Sequence, residues 1–289
     1  MAFELLTNPM AITGESPLWD PARDCVWWID IQAQRLLRTT LDGTTAATPL
    51  PWQPGFVTHA ESGRLVVGLE NGLYLFEPET RKLERICEVE ADRVTVRLND
   101  GKPDAAGRLW FGSMDMTGQG CATGRLYRRD RDGSIQIVQE NIVVPNAIAP
   151  SPDGCGVTFV DTPSRKLEYL ASDKATGELV TRRTITEFGT GEHPDGACFD
   201  CHGNLWIALI GEGDIRQISL NGDELQRIPA PVTRPTMPCL GGFDGNHLFV
   251  TNQRRFLSHT QLSAQPFAGG LMAMQVAAQA GPLFKVAGL

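Results

Sequence analysis

Four side chains with oxygen donors recur at one place relative to the apolar runs that follow them. Glu15, in TGESPLWD, lies eleven residues before the run that begins at Val26. Asn99, in RLNDGKPD, lies ten before Leu109; Asn146, in VVPNAIAPSPDG, eleven before Val157; Asp195, in HPDGACFD, ten before Leu205. Two carboxylates and two carboxamides gathered at one point suit a hard dication: Ca²⁺, Mg²⁺ and Mn²⁺ prefer such oxygens, and Zn²⁺ accepts Glu and Asp. Asn and Asp also end strands, which is the simpler role for any one of them alone. The shared phase of all four points to a joint role. Arg97, two residues before Asn99, would add a guanidinium donor. The matching positions before Leu65 and Leu248 are Gly55 and Pro238, which offer no ligand.

The elements that must position these residues repeat. Apolar runs begin at Val26, Leu65, Leu109, Val157, Leu205 and Leu248, spaced by 39, 44, 48, 48 and 43 residues. Five follow a glycine turn at Gly63, Gly107, Gly154, Gly203 or Gly245, and the first follows DPARD. After several of them comes a similar hairpin text: GLYLFEPETRKLERI from Gly72, GRLYRRDRDGSIQIV from Gly124 and GDIRQISLNGDELQRI from Gly213. Such a period suits four short strands, the unit of a β-propeller blade. No amphipathic helical pattern intervenes, and a two-sheet sandwich would not explain the regular spacing. The expectation is an all-β, six-bladed β-propeller of four-stranded blades, forming a single domain over residues 1–289. FELLT near the N-terminus and GGLMAMQV near the C-terminus would share one blade and close the ring, removing exposed edges.

Composition narrows the partners. The 289 residues carry 26 Lys and Arg against 34 Asp and Glu, a formal charge of −8. An acidic chain is a poor partner for nucleic acid or an anionic membrane, both of which demand a basic face. The N-terminal stretch lacks the basic and apolar regions of a secretory signal, and no segment has the roughly 20 apolar residues of a membrane helix. With seven scattered cysteines, reduced thiols in the cytoplasm are expected. A small-molecule ligand and a monomer or small homo-oligomer fit these features. Nucleotide cradles and a nucleophile elbow have no support, because G-x-G-x-x-G, G-x-x-x-x-G-K and G-x-S-x-G are absent.

GESPLWDPARDCVWWIDI, RLNDGKPDAAGRLWFGSM, VVPNAIAPSPDG and HPDGACFDCHGNLWIA together resemble the blocks of the senescence-marker-protein, gluconolactonase and regucalcin-like family, in the same order over residues 14–208. The resemblance implies a six-bladed propeller with one divalent cation (Ca²⁺, Zn²⁺, Mg²⁺, Mn²⁺ or Fe²⁺) in its axial channel, and hydrolysis of a sugar lactone. At matching positions it makes Glu15, Asn146 and Asp195 the metal ligands and Asp195 also the general base. Arg97 and Asn99 become contacts to the substrate's ring oxygen and hydroxyls. Many relatives carry an acidic substrate contact after G-S/T-M; here the text is GSMDMTGQG, and Asp115 is the nearest acid.

A dication beside the lactone carbonyl would stabilise the charge that develops as water adds. Metal binding also lowers a carboxylate's pKa and so weakens it as a base. Either Asp195 accepts the water's proton on its second oxygen, or the cation itself activates the water. Other readings of such a site are hydrolysis of phosphotriesters or other esters, and a non-catalytic cation-binding propeller. His193, beside the PDG block, could touch substrate at the channel mouth. Arg254 and Arg255 either solvate a loop or reach an anionic substrate group such as a sulfonate or carboxylate. Cys198-x-x-Cys201 lacks the second pair that a zinc ribbon needs. Trp27, Trp110 and Trp206 are expected as core fillers between blades.

Overall fold

The structure is a computed structural model and describes residues 2–289. It is nearly all β, with 24 strands in six four-stranded antiparallel sheets. The first sheet runs β2 (Gly14–Asp20), β3 (Cys25–Asp30), β4 (Arg35–Thr40) and β5 (Thr45–Pro49). The second is β6 (Pro54–His59), β7 (Leu65–Leu69), β8 (Gly72–Glu77) and β9 (Lys82–Glu88). The third is β10 (Val96–Pro103), β11 (Leu109–Asp115), β12 (Gly124–Arg129) and β13 (Ile135–Ile142). The fourth is β14 (Pro145–Pro150), β15 (Gly156–Asp161), β16 (Lys166–Ser172) and β17 (Leu179–Glu187), and the fifth is β18 (His193–Phe199), β19 (Leu205–Ile210), β20 (Asp214–Ile218) and β21 (Glu224–Pro229). The sixth takes β22 (Pro235–Gly241), β23 (His247–Asn252) and β24 (Leu271–Gln275) from one end of the chain and β1 (Glu4–Thr7) from the other. The sheets stand in a ring, the arrangement of a six-bladed β-propeller.

All six expected apolar runs are the second strands of their sheets, and the N-terminal strand pairs with the C-terminal one as the sequence predicts. The five turn glycines have φ between +69° and +84°. In the first blade the same slot falls to Asp24, at φ +50°; Asp is among the few side chains that tolerate this region. Two short helical segments depart from the all-strand expectation, the first a 3-10 turn at Thr162–Ser164. His259–Ala264 forms a short α-helix before β24, with Ser258 and Gln261 in a reciprocal capping box. Six residues are too few to display an amphipathic period in the sequence.

The chain contacts itself as two compact units, residues 1–51 with 189–281 and residues 52–188 with 282–289. The first unit holds blades one, five and six. A core of Trp206, Ile215, Leu248, Val250 and Met272 lies in it, as do Trp28 and Phe249. The second holds blades two, three and four around Phe56, Phe111, Tyr127 and Phe159. In this unit the chain's last residues join blade two, where Val286 bridges Ala60.

The tryptophans expected as core fillers are buried, and they also carry hydrogen bonds that the sequence reading did not include. Trp27, Trp110 and Trp206 donate their indole N–H to Asp20, Asp104 and Asp200, at 3.0, 3.0 and 3.1 Å. The other carboxylate oxygen of each aspartate accepts a backbone N–H of the tight turn, from Ala22, Ala106 and His202. One side chain thus shapes the turn and fixes the tryptophan that fills the blade. Asp104 also pairs with buried Arg108 at 2.7 Å. Asp104→Ala would leave Trp110, Arg108 and the turn amides short of a buried acceptor, so a loss of about 3–5 kcal/mol is expected, read as a lower urea midpoint.

Candidate functional site

The first strand of every blade is interrupted by a register shift, and the candidate residues sit at these interruptions. In β2, Glu15 pairs with Ile29 and Leu18 with Trp27, so two residues face Trp28 alone. In β10, Asn99 and Asp100 share Gly112; in β14, Ala147 and Ile148 share Phe159; in β18, Asp195 and Gly196 share Ala208. In β22 the doubled pair is Thr236 and Met237 opposite Thr251, and in β6 Gly55 is the extra residue. A β-bulge bends its strand and re-aims the side chains beside it, which is why bulges collect near functional sites. The ten- and eleven-residue spacings now separate cleanly. Glu15 and Asn146 are the last regularly paired residues before their bulges, whereas Asn99 and Asp195 are the first doubled ones. After Glu15 and Asn146 come Ser16 at φ +51° and Ala147 at φ +49°. Neither residue type favours that region, so tertiary contacts hold them there.

Within the second unit three of the expected residues form one chain of hydrogen bonds. Arg97 Nη1 donates to Asn99 Oδ1 at 2.9 Å and to the Leu98 carbonyl. Asn99 Nδ2 donates to Asn146 Oδ1 and to the Pro145 carbonyl, both at 2.9 Å. Asn146 Nδ2 then donates to Thr162 Oγ1. Arg97 and Asn146 are 7% and 6% exposed, so this network lies in a low-dielectric setting where each bond is strengthened and each loss is costly. Asp115 is buried at the end of β11, where it pairs with Val96 and accepts from Thr117 Oγ1 at 2.6 Å. That position is one rung from Arg97, which pairs with Met114.

Within the first unit Glu15 is buried and accepts the Ser16 backbone N–H at 2.7 Å. Asp195 is half-buried, and His193 is exposed at the start of β18. Both β2 and β18 pack against β22. The loop before His193 is held by Glu192, which accepts from Gly189 N and from Arg216. Burial opposes ionisation of Glu192, but these donors outweigh it and hold its carboxyl below the usual range.

Neighbouring bulges touch. Asp100 of β10 accepts the Ile148 N–H of the β14 bulge at 2.9 Å, and Thr236 of β22 donates to the Gly14 carbonyl beside Glu15 at 2.6 Å. Gly55 faces the backbone of Leu98 and Asn99; a Cβ there would stand 2.3 Å from the Leu98 oxygen. Blade two therefore has no room for a side chain at its bulge, because that bulge approaches the backbone of the next blade's first strand. For blade six, counting back from Leu248 leads to Pro238, but the bulge is at Thr236 and Met237. The paired part of this hairpin runs one rung further than in β10–β11 or β18–β19, to Gly241 opposite His247, so a fixed offset from Leu248 slips.

Register also reveals a residue that counting missed. Arg97 and His193 each stand one residue before the last regular pair of their strands, and in blade six that place belongs to Arg234. The signal was present as parallel dipeptides, His193-Pro194 and Arg234-Pro235.

Among the described residues no three His, Cys, Asp or Glu side chains cluster at metal-binding distance. The expected set needs only two carboxylates and an amide, and its oxygen donors suit a hard dication. The sequence model of the SMP-30/gluconolactonase/LRE-like region matches residues 13–254. The chain belongs to this family. A 6-deoxy-6-sulfogluconolactonase of Pseudomonas putida is 33% identical over 273 residues, covering 92% of each chain. An L-arabinolactonase of Azospirillum brasilense is 30% identical, covering 94% of this chain and 91% of that one. Among solved structures, a calcium-binding regucalcin from Agrobacterium tumefaciens matches with a TM-score of 0.93 and 27% identity, over 99% of this chain and 97% of that one. Family membership thus extends across all six bulged strands.

Gly196 gives a test of the bulge itself. A Cβ there would fall 2.5 Å from Met237 side-chain atoms. Gly196→Ala should push β18 from β22, costing about 1–3 kcal/mol in chemical unfolding and lowering any activity that depends on Asp195.

Proposed function

We propose that this chain hydrolyses a sugar lactone to its aldonic acid in carbohydrate catabolism, with Glu15, Asn146 and Asp195 holding a divalent cation. The observation that carries this reading is the coincidence of those three residues, and of Asn99, with the bulges of their strands. Lactonase relatives that cover more than nine-tenths of the chain support the reaction class. A calcium-binding structural relative supports a cation. The family match runs through both compact units, which supports treating residues 1–289 as one catalytic domain. Seven cysteines, none in a disulfide among the described residues, support a reducing compartment, for which we take the cytoplasm.

A bound dication would supply Lewis-acid polarisation of the lactone carbonyl. The protein's own groups do the rest. Arg97 presents donors to the ring oxygen and hydroxyls, Asn99 offers its amide oxygen as an acceptor to a hydroxyl, and the pair, already tied to each other, orients the lactone. Asp115 and His193 supply further polar contacts to the sugar. Asp195 takes a proton from the attacking water as its oxygen bonds to the carbonyl carbon. As the ring C–O bond breaks, the same carboxyl returns that proton to the departing ring oxygen. No covalent enzyme intermediate is required.

Chelator-stripped protein, reloaded singly with Ca²⁺, Mg²⁺, Mn²⁺, Zn²⁺ or Fe²⁺, should recover acid release from at least one aldonolactone in a panel of pentono- and hexonolactones. An aryl ester and a phosphotriester serve as controls. Asp195→Asn should reduce turnover by about 10²–10⁴-fold, and near-normal activity in that variant would remove Asp195 from the site. Metal-restored phosphotriester cleavage without lactone opening would redirect the reading to that chemistry.

A further inference from the structure

The sixth blade carries a feature that the lactonase chemistry does not use. The Arg234 guanidinium lies over the Phe256 ring, 5.4 Å from its centroid, and the Arg255 guanidinium lies over the same ring at 4.6 Å. Phe256 is 70% exposed and sits at φ +69°, a region that an aromatic side chain rarely adopts. An exposed aromatic in a strained backbone, flanked by two like charges, is costly for a loop that only meets solvent.

The segment is held firmly in that form. Gln253 N donates to the Arg234 carbonyl at 3.0 Å, and the backbone N–H groups of Arg254 and Arg255 both donate to the Ile12 carbonyl. Thr233 N donates to Gln265 Oε1 at 2.8 Å, which fixes the approach to Arg234 from the short helix. Two positive groups are therefore preorganised, which lowers the entropy cost of binding an anion.

Arg35, Arg108, Arg128 and Arg216 each rest against a carboxylate, whereas among the described residues no such ion pair is found for Arg234 or Arg255. Arg234 Nε is buried without a hydrogen-bond partner. Burial pushes the Arg234 guanidinium below its usual range, with the Asp195 charge pulling it up and Arg255 pushing it further down. Arg234 immediately precedes β22, which packs beside β18, and lies within electrostatic reach of Asp195.

We propose that Arg234 and Arg255, braced on Phe256, bind an anionic oxo group on the substrate, so that the lactone opened here bears a sulfonate, carboxylate or phosphate away from its reacting carbonyl. Three features carry this: the shared ring, the unpartnered buried Nε, and the register that Arg234 shares with Arg97 and His193 in their own blades. Guanidinium suits such groups because its planar fork donates to two oxygens at once. The inference rests on the lactonase reading, and it is tested so that the two can fail separately.

The experiment compares kcat/KM for glucono-lactone with that for its 6-sulfonate, 6-phosphate and 6-carboxylate counterparts, in the full-length protein and in Arg234→Gln, Arg255→Gln and Arg255→Lys. The measured quantity is the ratio of anionic to neutral lactone. We expect the unaltered protein to prefer at least one anionic lactone by roughly tenfold or more, and the preferred group identifies the anion. Either Gln variant should collapse that ratio mainly through a higher KM for the anionic lactone, while Arg255→Lys retains part of it. Rising salt should also weaken KM for the anionic lactone selectively.

Calorimetric titration with the corresponding aldonates gives a readout independent of turnover. Anion-dependent binding that either Gln substitution abolishes, in a protein that opens no lactone, would keep this site and remove the lactonase reading. Efficient opening of neutral lactones, with a ratio near one that neither variant changes, would keep the lactonase reading and overturn this site.

Discussion

The constraint on which the site depends is an extra residue in the first strand of each blade. A regular β-strand alternates its side chains between two faces, so an uninterrupted strand would commit its polar residues to the packed faces of a blade. The bulge breaks that commitment for one or two residues. It also leaves backbone groups without a ladder partner, and the structure supplies substitutes: Asp100 accepts the Ile148 amide, and Thr158 Oγ1 donates to the Ala147 carbonyl. In the fourth blade, groups beside the bulge thus take over the hydrogen bonds its ladder has lost.

These substitutes come partly from the neighbouring blade, which couples the sites to one another. Gly55 against Leu98, Asp100 against Ile148, Gly196 against Met237 and Thr236 against the Gly14 carbonyl all link one bulge to the next. Candidate residues placed this way are positioned by backbone, which moves less than side chains on loops. The aspartate–tryptophan bonds act at the turn that joins each first strand to its second, in blades one, three and five. Together the turn and the bulge fix both ends of the strand segment between them.

The Arg97–Asn99–Asn146 chain shows how the same constraint tunes the polar groups. Asn99 spends one amide hydrogen on Asn146 and its carbonyl on Arg97, so its orientation is set from both sides. The two amides and the guanidinium are then rigid donors and acceptors before any ligand arrives, the condition under which hydrogen bonds discriminate best.

Much of this was determined by the sequence alone. The spacing of six apolar runs and the turn glycines specify six four-stranded blades, because a strand period and a forced positive φ are local properties of the chain. The family blocks single out Glu15, Asn99, Asn146 and Asp195 for the same reason: each lies a short, nearly constant distance from a local landmark. Tertiary structure decided what depends on register. The offset of ten against eleven residues proved to be two distinct places at a bulge, and the fixed count failed in blade six because its hairpin is paired one rung further. Arg234 became visible only when strands were compared by their pairing partners. Its shared ring with Arg255 joins residues separated by the whole β22–β23 hairpin, and proximity of that kind is fixed by cross-strand hydrogen bonds that no local pattern in the chain encodes.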